Sequence, residues 1–118
     1  MDLIRGLLLR IEEDKTLDGS RWVQFTPSEL GMESRTEEEI GYHLDLLIEA
    51  GLVNGKSMAD TIPAVGKLTW EGHEFLDNIK NNDVWGKTKT RLGDLATVSL
   101  KVVAAVAEAE IKRRLGLP

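Results

Sequence analysis

Apolar residues at the start of the chain keep to one side of a helical repeat. Leu3, Ile4, Leu7, Leu8 and Ile11 recur three and four positions apart, while Arg5, Arg10, Glu12 and Glu13 fall mostly off that stripe. Asp2 stands where it can cap, so the spacing predicts an amphipathic first helix. A polar turn, DKTLDGS, separates it from RWVQF, whose aromatic and β-branched content predicts a short strand. Thr26-Pro27-Ser28-Glu29 then combines an N-cap, a proline at the first helical position and a carboxylate three residues after the cap. A brief helix ending before Gly31 is expected there.

The next helix is marked at both ends. Thr36 and Glu39 form a capping box, Glu37 and Glu38 suit the positive end of the helix dipole, and Gly51 supplies a left-handed stop. Ile40, Leu44, Leu47 and Ile48 form its apolar stripe. LVNGKSM and VGKLTW predict two strands around an irregular tip, ADTIPA, in the manner of a wing; Asn54-Gly55 can also start a tighter hairpin or a bulge. Thr69 caps a further helix with Trp70, Phe75, Leu76 and Ile79 expected inward. NNDVWGKTKTRLGDLA continues it after a break near Asn81 and Asn82, and a last helix runs from about Val98 to Leu115. The fold class expected is mainly α (α+β): one domain over 1–118, with a winged-helix core over 1–80 and a C-terminal helical extension over 83–118.

The chain resembles a winged helix-turn-helix domain, because HLDLLIEAGLV followed by LTWEGHEFL joins a capped helix, a glycine stop, a wing strand and a Thr-initiated helix in that order. More closely, the chain resembles a family of small bacterial and prophage-encoded proteins catalogued as a domain of unknown function. MDLIRGLLLRIEE, EEEIGYHLDLLIEAGLV, KLTWEGHEFLDNIKNNDVWGKTK and the closing SLKVV carry the resemblance. It implies the winged-helix fold and a phage or bacterial regulatory setting, and it implies no activity.

Charge bears directly on what such a fold can bind. A helix entering the major groove brings Arg, Lys, Asn or Gln to base edges and positive charge to phosphates. Opposite its apolar stripe, the helix after Thr36 instead carries Glu38, Tyr42, Asp45, Leu46 and Glu49, and no lysine or arginine occurs between Thr36 and Gly55. The expectation is therefore a protein partner bound through Glu38, Tyr42, Asp45 and Glu49, although Glu37 to Glu39 also serve simply as a favourable helix start. The alternative is a DNA-binding regulator that uses Tyr42 and His43 as donors and holds phosphate through Lys56 and Lys67 on the wing and through Lys87, Lys89 and Arg91. Residues 1–77 hold 7 basic and 16 acidic residues, whereas 78–118 hold 8 basic and 4 acidic. The C-terminal third is the only basic region. Lys112, Arg113 and Arg114 offset the dipole at a helix end.

The last helix has almost no polar face in its middle, which makes solvent on any side costly. A homodimer through Val102, Val103, Val106 and Ala109 is expected, with internal burial as the alternative. Trp22, Trp70 and Trp85 are expected at the core or its boundary. The run from Val98 is broken by Lys101, Glu108 and Glu110 and is shorter than the roughly 20 residues needed to span a bilayer. No membrane partner is expected. The absence of cysteine suits a cytoplasmic location and excludes thiol chemistry. His43 and His73 lie on different helices, and HEFLD lacks the second histidine of a zinc-protease motif. No catalytic residue, metal or cofactor is expected.

Overall fold

The structure is a computed structural model that describes residues 2–17, 20–58, 61–93 and 99–117. Its elements are α1 (Asp2–Glu13), α2 (Glu37–Glu49), β1 (Val53–Lys56), β2 (Ala64–Leu68), α3 (Trp70–Ile79), α4 (Asn82–Leu92) and α5 (Leu100–Arg114). The architecture is mainly α-helical, with one two-stranded antiparallel sheet and several C-terminal helices. Val98, the expected start of the last helix, lies outside the described residues; Ser99 is the N-cap, accepting from the Val102 N–H.

The first helix behaves as its pattern requires. Leu3, Ile4, Leu7, Leu8 and Ile11 are all buried, and α1 packs against α2, α3 and β2. Its polar residues form the second half of the joint. Arg5 Nε donates to the Ile79 carbonyl at 2.9 Å, and its Nη2 donates to the Lys80 carbonyl at 2.8 Å and to Asn82 Oδ1 at 2.6 Å. One guanidinium thus satisfies carbonyls left open where α3 ends and α4 begins.

Three expectations change between the helices, and the bulge that Asn54-Gly55 allowed is present. RWVQF makes only a single bridge, Val23 to Val65, at the outer edge of β2. Thr26 and Glu29 do form the expected reciprocal capping bonds, but Gly31 turns left-handed and halts the segment as a turn. β1 and β2 pair Val53 with Leu68 and Gly55 with Val65, so two steps along β1 match three along β2 and the ladder carries a bulge. The expected wing tip does not project freely. Ala59 and Asp60 lie outside the described residues, but Ile62 and Pro63 are buried against Gly41 of α2, and Gln24 Nε2 donates to the Ile62 carbonyl at 2.8 Å.

The α2 to α3 connection is tight. Gly51 takes φ +75°, Thr69 Oγ1 donates to the Gly51 carbonyl at 2.5 Å, and the Thr69 N–H donates to the Leu52 carbonyl at 3.0 Å. The same hydroxyl accepts from the Gly72 N–H, which fixes the start of α3. That brings α3 so close that a β-carbon on Gly72 would overlap the Leu52 carbonyl oxygen. Trp70 corrects the sequence reading, since it is 75% exposed at the first turn of α3, while Phe75, Leu76 and Ile79 carry the buried side. Trp85 is buried and Trp22 is half exposed.

Gly72→Ala forces this backbone contact apart and is expected to lower stability by about 2–3 kcal/mol, as overpacking of a tight contact does. A urea melt followed by circular dichroism measures it. Gly86→Ala, where an added β-carbon meets nothing within 4 Å, is the control expected to be neutral or stabilising.

Candidate partner-binding surface

Helix α2 packs by Ile40, Gly41, Leu44 and Leu47 and turns Glu37, Glu38, Tyr42 and Glu49 to solvent. Glu39 belongs to the helix start. It accepts from the Thr36 N–H at 3.5 Å and pairs with Arg35 at 3.2 Å. The Arg35 hydrogen bond, with the Thr36 backbone N–H, holds its carboxyl below the usual range. Glu37, Glu38 and Glu49 have no cationic partner among the described residues. Tyr42 is 63% exposed and meets the His43 ring edge-on, 5.4 Å between centroids. His43 is half-buried, and its Nδ1–H donates to the Glu39 carbonyl at 2.7 Å, a bond that spends one ring nitrogen inside the helix.

Asp45 is a correction. It is half-buried, and its Oδ1 is enclosed without a hydrogen-bond partner among the described residues. The helical repeat puts it between Gly41, against which Ile62 and Pro63 pack, and Ile48, whose Cδ1 would lie 2.8 Å from a β-carbon on Gly55. It therefore belongs to the flank turned toward the hairpin. The open acidic face consists of Glu38, Tyr42 and Glu49, with Glu37 beside them.

Most cations of the C-terminal third are engaged in ion pairs among the described residues. Lys87 pairs with Asp83 at 3.6 Å, Lys89 with Asp2 at 2.9 Å and Arg91 with Glu110 at 3.0 Å. Arg113 also reaches Glu110, at 3.5 Å, Lys112 reaches Glu108, and Arg114 pairs with Asp83. Lys80 joins Glu12 of α1 at 2.6 Å, which raises its pKa. Asp2 accepts from Lys89 and from Trp85 Nε1 at 2.8 Å, and those bonds, Lys89 first, hold its carboxyl below the ordinary range. Lys89 also stands over the Trp85 ring, 5.7 Å from its centroid. Counting residues along the sequence gave a positive third; pairing in space uses that charge to attach α4 to α1 and α5 to α4.

Glu110 is the residue that sequence reasoning missed. At 2% exposure it is the buried carboxylate of α5, beneath Arg91 and Arg113. A signal was present, because Glu110 falls on the same helical stripe as Val103 and Ala107, the other buried residues of α5. Its partner on α4 was not visible in the order of the chain. Val103 is fully buried within the protomer, so it cannot serve the homodimer contact expected of it, and Val106 is half-buried against the core. Val102, Ala105 and Ala109 are exposed.

Among the described residues five cations bind neither a carboxylate nor a carbonyl: Lys15, Arg21, Lys56, Lys67 and Lys101. Lys56 and Lys67 stand exposed on the hairpin. No group of three or more acidic or histidine side chains is arranged to hold a metal ion among the described residues, and no helix is long and apolar enough to cross a membrane.

Fold and surface together define a small mainly helical protein with one hairpin, an open acidic helix and an internally paired C-terminal helical pair. The chain belongs to the DUF2513 family, whose model, described as "Hypothetical protein (DUF2513)", matches residues 1–99. It is 34% identical over 118 residues to an "Uncharacterized protein" of Haemophilus influenzae, covering 97% of this chain and 95% of that protein. That similarity continues past residue 99 into α5. No solved structure matches the chain.

Removing Arg91 leaves the buried Glu110 with only the longer Arg113 contact. Arg91→Ala is therefore expected to cost about 1–3 kcal/mol, whereas Lys87→Ala, from an exposed pair, is expected to cost at most about 0.5 kcal/mol. Paired denaturant melts of the two variants decide whether the basic segment is structural.

Proposed function

We propose that this is a non-enzymatic regulatory or adaptor protein of winged-helix type, acting in the cytoplasm in a bacterial or phage setting by binding another protein. The surface is the open face of α2, with Glu38, Tyr42 and Glu49 at its centre. The observation that carries this reading is that the carboxylates of that face have no compensating cation. A duplex brought to α2 would set those acids against phosphate without releasing counterions. A basic protein surface would be steered toward them instead, with Tyr42 supplying apolar contact area and a hydroxyl. The pairing of Lys89 with Asp2 and of Arg91 with Glu110 supports the same reading, since phosphate contact through those residues would compete with pairs that join α4 to α1 and to α5. The folded-back hairpin loop also partly covers one flank of α2.

Glu38→Lys with Glu49→Lys reverses the face without touching the core. Immobilised protein carrying both is expected to lose a partner retained by wild type from bacterial extract, while Lys87→Ala keeps it. Equal capture by the reversed variant, with its helical spectrum intact, sinks the reading. Specific duplex binding at physiological salt, lost on Lys56→Ala with Lys67→Ala, would favour a transcriptional regulator.

The protein is further proposed to act as a homodimer through the outward side of α5. Ala105, Glu108, Ala109, Lys112, Arg113 and Leu117 line a shallow groove there, and Val102 is 47% exposed beyond it. Small residues let two helices approach closely. An antiparallel copy would set the Glu108 of each chain near the Lys112 of the other, so the charges match reciprocally. Light scattering is expected to give twice the 13.1 kDa chain mass for wild type and the single mass for Val102→Glu with Ala109→Glu. A monomeric wild type at working concentration removes the dimer.

A further inference from the structure

The hairpin has a second surface that α2 does not use. β2 lies between β1 and the Val23 bridge, whose two backbone hydrogen bonds are 2.8 and 2.9 Å long. Val53, Val65 and Leu68 point into the core. The bulge sets Gly66 and Lys67 together opposite Asn54, so the strands put Trp22, Asn54, Lys56, Gly66 and Lys67 on the opposite side. Trp22 lies across Gly66: a β-carbon there would be 3.0 Å from its Cδ1 and 3.2 Å from its Nε1. The missing side chain of Gly66 is what lets the indole settle on the sheet. The ring is nevertheless 50% exposed, and its N–H makes no hydrogen bond among the described residues.

The charges around that ring are distinctive. Arg21 precedes it, Lys67 follows the glycine beneath it, and Lys56 pairs with Ala64, two residues from that glycine. Among the described residues these are three of the five cations without a carboxylate or carbonyl partner, and the other cations are nearly all committed. An anchored, half-open indole offers a flat π surface, and three cations that are adjacent to it in sequence or sheet register, and unpaired among the described residues, offer phosphate contacts.

We propose that this outer face of the hairpin binds single-stranded nucleic acid, with a base stacked on Trp22 and neighbouring phosphates met by Arg21, Lys56 and Lys67. A duplex presents its bases edge-on within the stack, so only an unpaired strand gives the indole a base face. The acidic face of α2 also disfavours a partner wide enough to reach both surfaces. The site stands apart from the protein-binding face, and either can fail without the other.

The test is fluorescence anisotropy of full-length protein with a labelled oligothymidylate of about 12 nucleotides, within the usual range of strand footprints. Wild type is expected to bind saturably at low salt and more tightly than to a duplex of equal length. Trp22→Ala is expected to weaken binding about 5- to 150-fold and Trp22→Phe far less, as base stacking requires. Lys56→Ala with Lys67→Ala is expected to reduce the slope of log affinity against log salt by about 1.4. Should Trp22→Ala unfold, the lysine pair and Trp22→Phe carry the decision. The proposal is overturned by no saturable binding, by tighter duplex binding, by equal competition from polyglutamate, or by a folded Trp22→Ala or lysine-pair variant that binds as wild type does.

Discussion

The docking of α1 is the constraint on which the remaining structure rests. Its apolar stripe meets α2, α3 and β2, while Asp2, Arg5 and Glu12 reach α4 or the junction between α3 and α4. A helix of 12 residues is marginal alone in water, so α1 exists because its neighbours cover it, and they are held together because it is there. Arg5 is the most economical part of this arrangement. Unlike a lysine, its planar guanidinium reaches two backbone carbonyls and a side-chain amide at once, at a place where the helix breaks and would otherwise leave carbonyls unmatched.

This use of cations shapes the surface. Lys80, Lys89 and Arg91 each connect a different pair of segments, and Arg114 ties the end of α5 to the start of α4. Exposed pairs such as Lys87 with Asp83 contribute little individually. The Glu110 site differs, because its carboxylate has left water and depends on Arg91 and Arg113. With the C-terminal cations assigned in this way, Glu37, Glu38 and Glu49 of α2 have no cationic partner among the described residues, and the acidic character of the exposed face follows from how the molecule is assembled. A formal charge of −5 says far less than this distribution does.

What could be read from sequence was whatever is decided within a few residues. Thr36 and Thr69 act as the N-caps expected of them, and Gly51 takes the left-handed turn its position implied, because capping is a local contest between a side chain and nearby backbone. The stripes of α1 and α2 were legible for the same reason. Trp70 stands one residue after the cap and points away from Phe75 and Leu76, so its size does not bury it. The Thr26 to Gly31 segment has its cap but too few residues before its glycine to propagate a helix. Asp45 illustrates the limit of a helical wheel, which has two sides and no knowledge that a loop from residues 61–63 will come to rest on one flank. The acidic face was thus legible in outline, whereas the pairing of the basic segment depended on contacts between residues far apart in sequence.

The tight connection from α2 to α3 gives these surfaces their mechanical relation. Gly51, Leu52, Thr69 and Gly72 bring the end of α2, the start of β1 and the first turn of α3 into backbone contact, leaving no slack for one to swing against another. Ile48 fills the space over Gly55, and Ile62 and Pro63 close on Gly41, so the hairpin is fastened to α2 at two further points. Lys56 and Lys67 form no ion pair with Glu38 or Glu49. Exposed charges gain little from pairing in water, so each set stays solvated on its own element. A partner consequently meets two fields of opposite sign in a fixed geometry. That geometry disfavours one long polyanion laid across both and suits partners that are themselves divided in charge or small enough to use one side.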